Sequence, residues 1–133
     1  MDSIQTRTIE GQTTVPAGDG GEGSAVRIIA MPELPKDGSY VVTGSITATD
    51  TASPRKAVTY FPQFTGTIEG GKVSQNNTGP VPSQPTDGGA AQEWKPGGPS
   101  AVVTGRQMEI EVLGVSGKKL QWSWALRVVL TQQ

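Results

Sequence analysis

The chain of 133 residues contains no cysteine and no histidine, and these two absences exclude most of the common catalytic and metal-binding chemistry. Without cysteine there is no disulfide, no thiol nucleophile and no thiolate ligand for zinc or an iron–sulfur cluster. Without histidine there is no imidazole base, and the commonest ligand of transition metals is missing. We therefore expect no catalytic residue, no metal site and no cofactor.

Charge is sparse and balanced. Only 17% of the residues are charged, against about 25% in an ordinary globular domain. Eleven Lys and Arg stand against twelve Asp and Glu, so there is no positive field to attract a polyanion, and we expect no nucleic-acid partner. No run approaches the roughly 18 apolar residues of a membrane helix, and residues 1–10 lack the apolar core of a secretion signal, so we expect no membrane association.

Glycine and proline, in contrast, are abundant: 18 and 10 residues of 133, about 21% where average usage gives roughly 12%. They concentrate in residues 15–23 and 75–100, which contain too many turn formers for a regular element. The first tract leads us to divide the chain into an N-terminal arm with a flexible linker, residues 1–23, and a single domain, residues 24–133. The second tract is a long loop in that domain, and such loops are usually functional or disordered.

Alternation of apolar and polar residues with a period of two runs through the body of the chain and is typical of β-strands. It occurs in residues 40–49. Residues 25–31, a compact β-branched run, and residues 55–64 are further predicted strands, and the Gly70-Gly71 pair supplies a tight hairpin turn. No stretch of helix length has the 3.6-residue period of an amphipathic helix. The sequence therefore predicts an all-β fold, an antiparallel β-sandwich or jelly-roll-like domain with an extended N-terminal arm.

The strongest alternation lies in the last third of the chain. Residues 106–113 and 118–131 flank a Gly-rich turn and are predicted to pair as an antiparallel hairpin. On the second strand the residues predicted to face the core are Leu120, Trp122, Trp124, Leu126, Val128 and Leu130. On the first strand they are Met108, Ile110 and Val112.

Carboxylates are the remaining candidates for chemistry. Glu109 and Glu111 share one face of a strand at about 7 Å, a spacing found in glycosidases. We prefer a solvated sheet face with Lys118 or Arg127 opposite, because nothing nearby supplies an apolar pocket. Asp50 could contribute to a calcium loop, but a lone carboxylate more often starts a turn through its side chain.

Two segments are candidates for contact with a partner. The arm alternates in a way that would let it add a strand to a neighbour's sheet, although a frayed terminus is the simpler alternative. Trp94, in the long loop, could anchor that loop on its own body or on a neighbour, or stack on a sugar together with Tyr40 and Tyr60. The candidate contact residues are Ile4, Thr6, Thr8, Ile9 and Trp94.

Residues 105–130 (GRQMEIEVLGVSGKKLQWSWALRVVL) join an apolar–Gly strand end, a short turn with a second Gly, and a strand that opens with an apolar residue and Trp. Residues 41–60 (VVTGSITATDTASPRKAVTY) join a Thr- and Ala-rich strand, a short Asp loop and a basic-aliphatic strand. This arrangement resembles a pattern in small β-domains of tailed-bacteriophage virion proteins. From the start of the second segment to the end of the first, residues 41–130, the resemblance spans about two-thirds of the chain.

The resemblance implies a non-enzymatic structural protein of the virion, made in the host cytoplasm. Such domains occur in capsid decoration proteins, head fibres and tail components, commonly as trimers. We expect a capsid decoration or cement protein, assembled as a homotrimer, that binds the major capsid protein or other virion subunits. The alternative is a tail, neck or fibre component with a carbohydrate- or receptor-binding β-domain.

Overall fold

A computed structural model describes residues 3–15, 25–52, 55–76, 78–82, 99–113 and 117–133. In these ranges the chain forms nine β-strands and no helix, and therefore no helix that could cross a membrane. The strands are β1 (Ser3–Val15), β2 (Ala25–Ala30), β3 (Gly38–Asp50), β4 (Ala57–Glu69), β5 (Lys72–Gln75), β6 (Thr78–Pro82), β7 (Ser100–Thr104), β8 (Gln107–Leu113) and β9 (Leu120–Gln132).

The strands form two sheets, and every pairing among the described strands is antiparallel. The large sheet has the order β1-β9-β3-β4-β5, with β6 also paired to β4, and the small sheet has the order β2-β8-β7. The inner faces of the two sheets enclose one hydrophobic core. The predicted all-β antiparallel sandwich is confirmed, and residues 3–15 of the predicted arm form the edge strand β1 of the large sheet.

The core is built from the residues that alternate inward on both sheets. Trp122, Tyr40 and Phe64 are its largest fully buried side chains, and the rings of Trp122 and Tyr60 stack with centroids 6.3 Å apart. Each fully buried large apolar side chain contributes about 1.5–3 kcal/mol to the free energy of unfolding. The predicted inward residues of β8 and β9 are buried, apart from Trp124, which is half-buried against the core.

The predicted hairpin between residues 106–113 and 118–131 is wrong. Strand β8 pairs with β2 and β7, whereas β9 pairs with β1 and β3, so the two strands belong to different sheets. They face each other across the core, and the chain crosses from one sheet to the other between Leu113 and Leu120. Alternation shows which face of a strand is buried, but it does not show whether the next strand lies beside it or opposite it.

The predicted turn at Gly70 and Gly71 is confirmed and joins β4 to β5. Their φ angles are 59° and 79°, the left-handed region that both central residues of a type I′ hairpin turn require. Glu69 and Lys72 are the register pair that closes the turn. The Gly70 N–H also donates a 2.8 Å hydrogen bond to Oδ1 of Asp37, which fixes the turn to the segment before β3.

Candidate interaction surface

The outer face of the large sheet is the candidate interaction surface, and we call it the threonine face. Strands β1, β9, β3 and β4 each contribute six alternate residues that adjoin in register, and all are exposed or half-buried. From β1 and β9 these are Ile4, Thr6, Thr8, Glu10, Gln12, Thr14, Gln121, Ser123, Ala125, Arg127, Val129 and Thr131. From β3 and β4 they are Ser39, Val41, Thr43, Ser45, Thr47, Thr49, Ala57, Thr59, Phe61, Gln63, Thr65 and Thr67.

Hydroxyl side chains dominate this face. Threonine occupies ten of its positions and serine three, and β-branched threonine suits an exposed strand because its stiff side chain packs on the pleated surface. The Oγ1 atoms of Thr47 and Thr59 share a 2.9 Å hydrogen bond between β3 and β4. Glu10 and Arg127 are the two charged residues of the face. A partner would therefore bury hydroxyl and methyl groups with little loss of charge hydration.

The threonine face also carries exposed hydrophobic side chains. Among the described residues, the most exposed large hydrophobic side chains are Ile4 at 73%, Phe61 at 51%, Val41 at 38% and Val26 at 36%. The first three lie on the threonine face, and Val26 lies on β2 of the small sheet. Val41 is paired with Val129 of β9, which places two valines side by side on the two central strands, near one end of the face. Apolar side chains grouped on a polar surface are typical of interaction sites.

The outer face of the small sheet is charged instead. Nη1 of Arg27 on β2 lies 2.9 Å from Oε1 of Glu109, and its Nε lies 3.8 Å from Oε2 of Glu111. The predicted partners Lys118 and Arg127 are wrong, because β8 pairs with β2 and not with β9. The carboxylates serve as cross-strand ion-pair partners on a solvated sheet face, and each such exposed pair contributes about 0–1 kcal/mol.

Asp50 holds a turn at the end of β3, as predicted. Its Oδ1 accepts a 3.0 Å hydrogen bond from the Ala52 N–H, and Nζ of Lys118 donates a 3.0 Å hydrogen bond to its Oδ2. These two donors lower the pKa of the buried Asp50 carboxyl and keep it ionised. In the part of the chain that the structure describes, no three acidic side chains group as a metal site would require.

The candidate contact residues fall on different surfaces. Ile4, Thr6 and Thr8 point outward on the threonine face, whereas Ile9 lies on the opposite side of β1 and packs against the core. Trp94 lies outside the described residues. Strand β1 pairs along its whole length with β9 of the same chain, from Ser3 opposite Gln132 to Val15 opposite Leu120.

Two predicted sugar-stacking residues are too deeply buried to contact a sugar. Tyr40 and Tyr60 are both buried in the core, so the hypothesis that they form a platform with Trp94 is wrong for these two. Burial raises the pKa of the Tyr40 phenol because the ionised form would lose its hydration.

Two aromatic rings hold neighbouring strands by lying over glycines. A Cβ at Gly66 of β4 would meet the ring of Tyr40, at 2.6 Å from Cζ, and a Cβ at Gly11 of β1 would lie 2.6 Å from Cζ2 of Trp124. In both cases the glycine and the aromatic residue are a register pair. The Trp124 contact fastens β1 to β9 and so completes the fourth strand of the threonine face.

The sequence predicts part of the threonine face but not its extent. The Thr- and Ser-rich alternation of residues 41–49 indicated an outward face of one strand. It did not indicate that β1, β9 and β4 would bring similar residues beside it, because sheet order depends on pairings between distant segments.

The fold resembles part of a bacteriophage tailspike. The tailspike protein of Acinetobacter baumannii phage AM24 superposes with a TM-score of 0.52 at 8% sequence identity, over 95% of this chain and 28% of the tailspike. Two others have TM-scores below 0.5. The tailspike gp49 of A. baumannii bacteriophage Fri1, described as a capsular polysaccharide depolymerase, has a TM-score of 0.46 at 10% identity, over 93% of this chain and 17% of its own. The tailspike protein of Acinetobacter phage vB_ApiP_P1 has a TM-score of 0.44 at 16% identity, over 90% of this chain and 22% of the tailspike.

These similarities concern the fold. The chain spans less than a third of the length of each of these tailspikes. No protein-family model and no curated protein sequence matches it.

Proposed function

We propose that this chain is a structural β-domain of a bacteriophage tail or fibre component, and that it works by binding other virion subunits rather than by catalysis. The observation that carries the proposal is the fold similarity, over 95% of this chain, to part of the AM24 tailspike protein. It favours the tail or fibre location over the capsid decoration that the sequence led us to expect first.

The surface chemistry agrees with an attachment role. The threonine face is broad and almost free of charge, and it carries three of the most exposed large hydrophobic side chains of the described residues. Such a face can be covered by a neighbour at little cost in lost charge hydration. The partners that we propose are virion subunits, including further copies of this chain.

Immunogold labelling of intact virions tests the location. Antibodies raised against the purified chain should label the tail or its fibres, and mass spectrometry should find the chain in purified tails. Label spread over the capsid shell would contradict the proposal and support capsid decoration. Absence of the chain from purified virions would contradict both.

A capsule-clearing assay tests the non-enzymatic part of the proposal. The purified chain should leave capsular polysaccharide at its original molecular mass. If it shortened the polysaccharide, the chain would be an enzyme, and Glu109→Gln with Glu111→Gln would then show whether that carboxylate pair is responsible.

A further inference from the structure

We propose that the threonine face binds the same face of another copy of this chain. This inference rests on the proposed assembly function and names the partner of that surface. Its test uses the purified chain alone, whereas the proposed function is tested on virions, so either can fail without the other.

The first argument is the chemistry of the hydroxyl group. A threonine or serine hydroxyl both donates and accepts hydrogen bonds, so a surface made of them is complementary to itself. A surface of carboxylates or ammonium groups would repel its own copy. Threonine also exposes a methyl group, and two such faces can therefore bury apolar area while their hydroxyls exchange hydrogen bonds.

The second argument is the charge pattern. Glu10 and Arg127 have opposite signs and lie close together, because Arg127 is paired with Thr8 and Glu10 with Ala125 in the register of β1 and β9. The ion pairs among the described residues lie elsewhere on the molecule. When two copies meet, Glu10 of one can face Arg127 of the other. A two-fold arrangement, in which both copies present the same face, forms both pairs at once.

The third argument is area. Four strands of eleven residues each form a face of about 37 by 19 Å, or roughly 700 Å² per copy. Two copies would bury about 1,400 Å² in total, which lies within the usual range of roughly 1,200–2,000 Å² for specific interfaces. Val41, Val129 and Ile4 supply the apolar part of that area.

Sedimentation velocity over a concentration series, with two matched valine variants, is the first test. The wild-type chain should sediment as a dimer of 13.9 kDa subunits. Val41→Lys places an ammonium on the threonine face and should weaken self-association at least tenfold. Val26→Lys is the matched control, because Val26 is almost as exposed as Val41, at 36% against 38%, but lies on the other sheet. Thermal melts confirm that both variants fold.

A charge-reversal cycle is the second test. Glu10→Arg and Arg127→Glu should each weaken self-association, because like charges then meet, and the double variant should restore it. A wild-type chain that stays monomeric at every concentration would overturn the proposal and point to a glycan or a different virion protein as the occupant. An oligomer that responds equally to Val41→Lys and Val26→Lys, or not at all, would also overturn it.

Discussion

At the scale of single residues, the positions that should tolerate substitution least are those where an aromatic ring fills the space beside a glycine, or where a charged side chain holds specific hydrogen-bond partners. Tyr40 and Trp124 occupy the space that a side chain at Gly66 or Gly11 would need. In an alternation pattern such glycines only interrupt the series of apolar residues, although each one is a contact point between two strands. Their role depends on the strand register, which pairs Gly11 with Trp124 and Gly66 with Tyr40.

Gly11→Ala should destabilise the fold by about 1–3 kcal/mol, because the added methyl overlaps the Trp124 ring and must displace it. Urea denaturation followed by tryptophan fluorescence measures the free energy of unfolding. Gln12→Ala, on the exposed face of the same strand, is the control and should change it by less than about 0.5 kcal/mol.

The free-energy cost of Gly11→Ala should depend on the Trp124 ring. In a Trp124→Leu background, where the overlapping atoms are absent, Gly11→Ala should cost at least about 0.5 kcal/mol less than in the wild-type chain. An equal cost in both backgrounds would show that the ring is not what excludes a side chain at position 11.

Asp50 should make stability depend on acidic pH. Its folded pKa is lowered below the usual value near 3.8 by the Ala52 N–H and the Lys118 ammonium. The ionised carboxyl therefore contributes stability above that value, and the contribution is lost as the pH falls through the folded pKa.

Asp50→Asn should reduce the free energy of unfolding by about 1–2 kcal/mol at neutral pH, because it removes the charge that Lys118 contacts. The difference from wild type should disappear well below pH 3.8, where both side chains are neutral. Urea titrations at several pH values measure this difference in the free energy of unfolding. A difference that stayed constant with pH would mean that the Asp50 charge does not contribute.

At the scale of strands, the sequence predicts faces better than partners. The inward residues of β8 and β9 were predicted almost completely, since burial leaves a period of two in each strand. The same period appears whether two strands pair in one sheet or face each other across a core, and this is why the predicted β8–β9 hairpin was wrong. The threonine face could not be predicted in full for the same reason, because it depends on β1, β9, β3 and β4 lying side by side.

The β4–β5 turn, which was predicted correctly, should tolerate substitution at one of its two central positions and not at the other. Gly70→Asn keeps the Asn-Gly pair favoured in type I′ turns and should leave stability within about 0.5 kcal/mol of wild type. Gly71→Ala puts a Cβ on a residue with φ near 79° and should cost about 1–2 kcal/mol. Thermal melts of both variants check this, and equal losses would contradict the turn geometry.

At the scale of the whole molecule, the two outer faces differ in kind. The small sheet shows solvent an ion-paired cluster of Arg27, Glu109 and Glu111, whereas the large sheet shows a nearly uncharged array of threonines with Ile4 and Val41. A charged face is stable in water, and a broad neutral one with exposed valine and isoleucine gains from being covered. This asymmetry is the physical basis for assigning assembly to the large sheet.

Cysteine labelling of assembled virions tests that assignment most directly, because the natural chain has no cysteine to interfere. Val41→Cys and Val26→Cys should react with a maleimide at similar rates in dilute purified protein. In virions that carry the protein, Val41→Cys should react at least tenfold more slowly, while Val26→Cys keeps its rate. If Val41→Cys stays as reactive in the virion as in dilute solution, the threonine face is not the assembly surface.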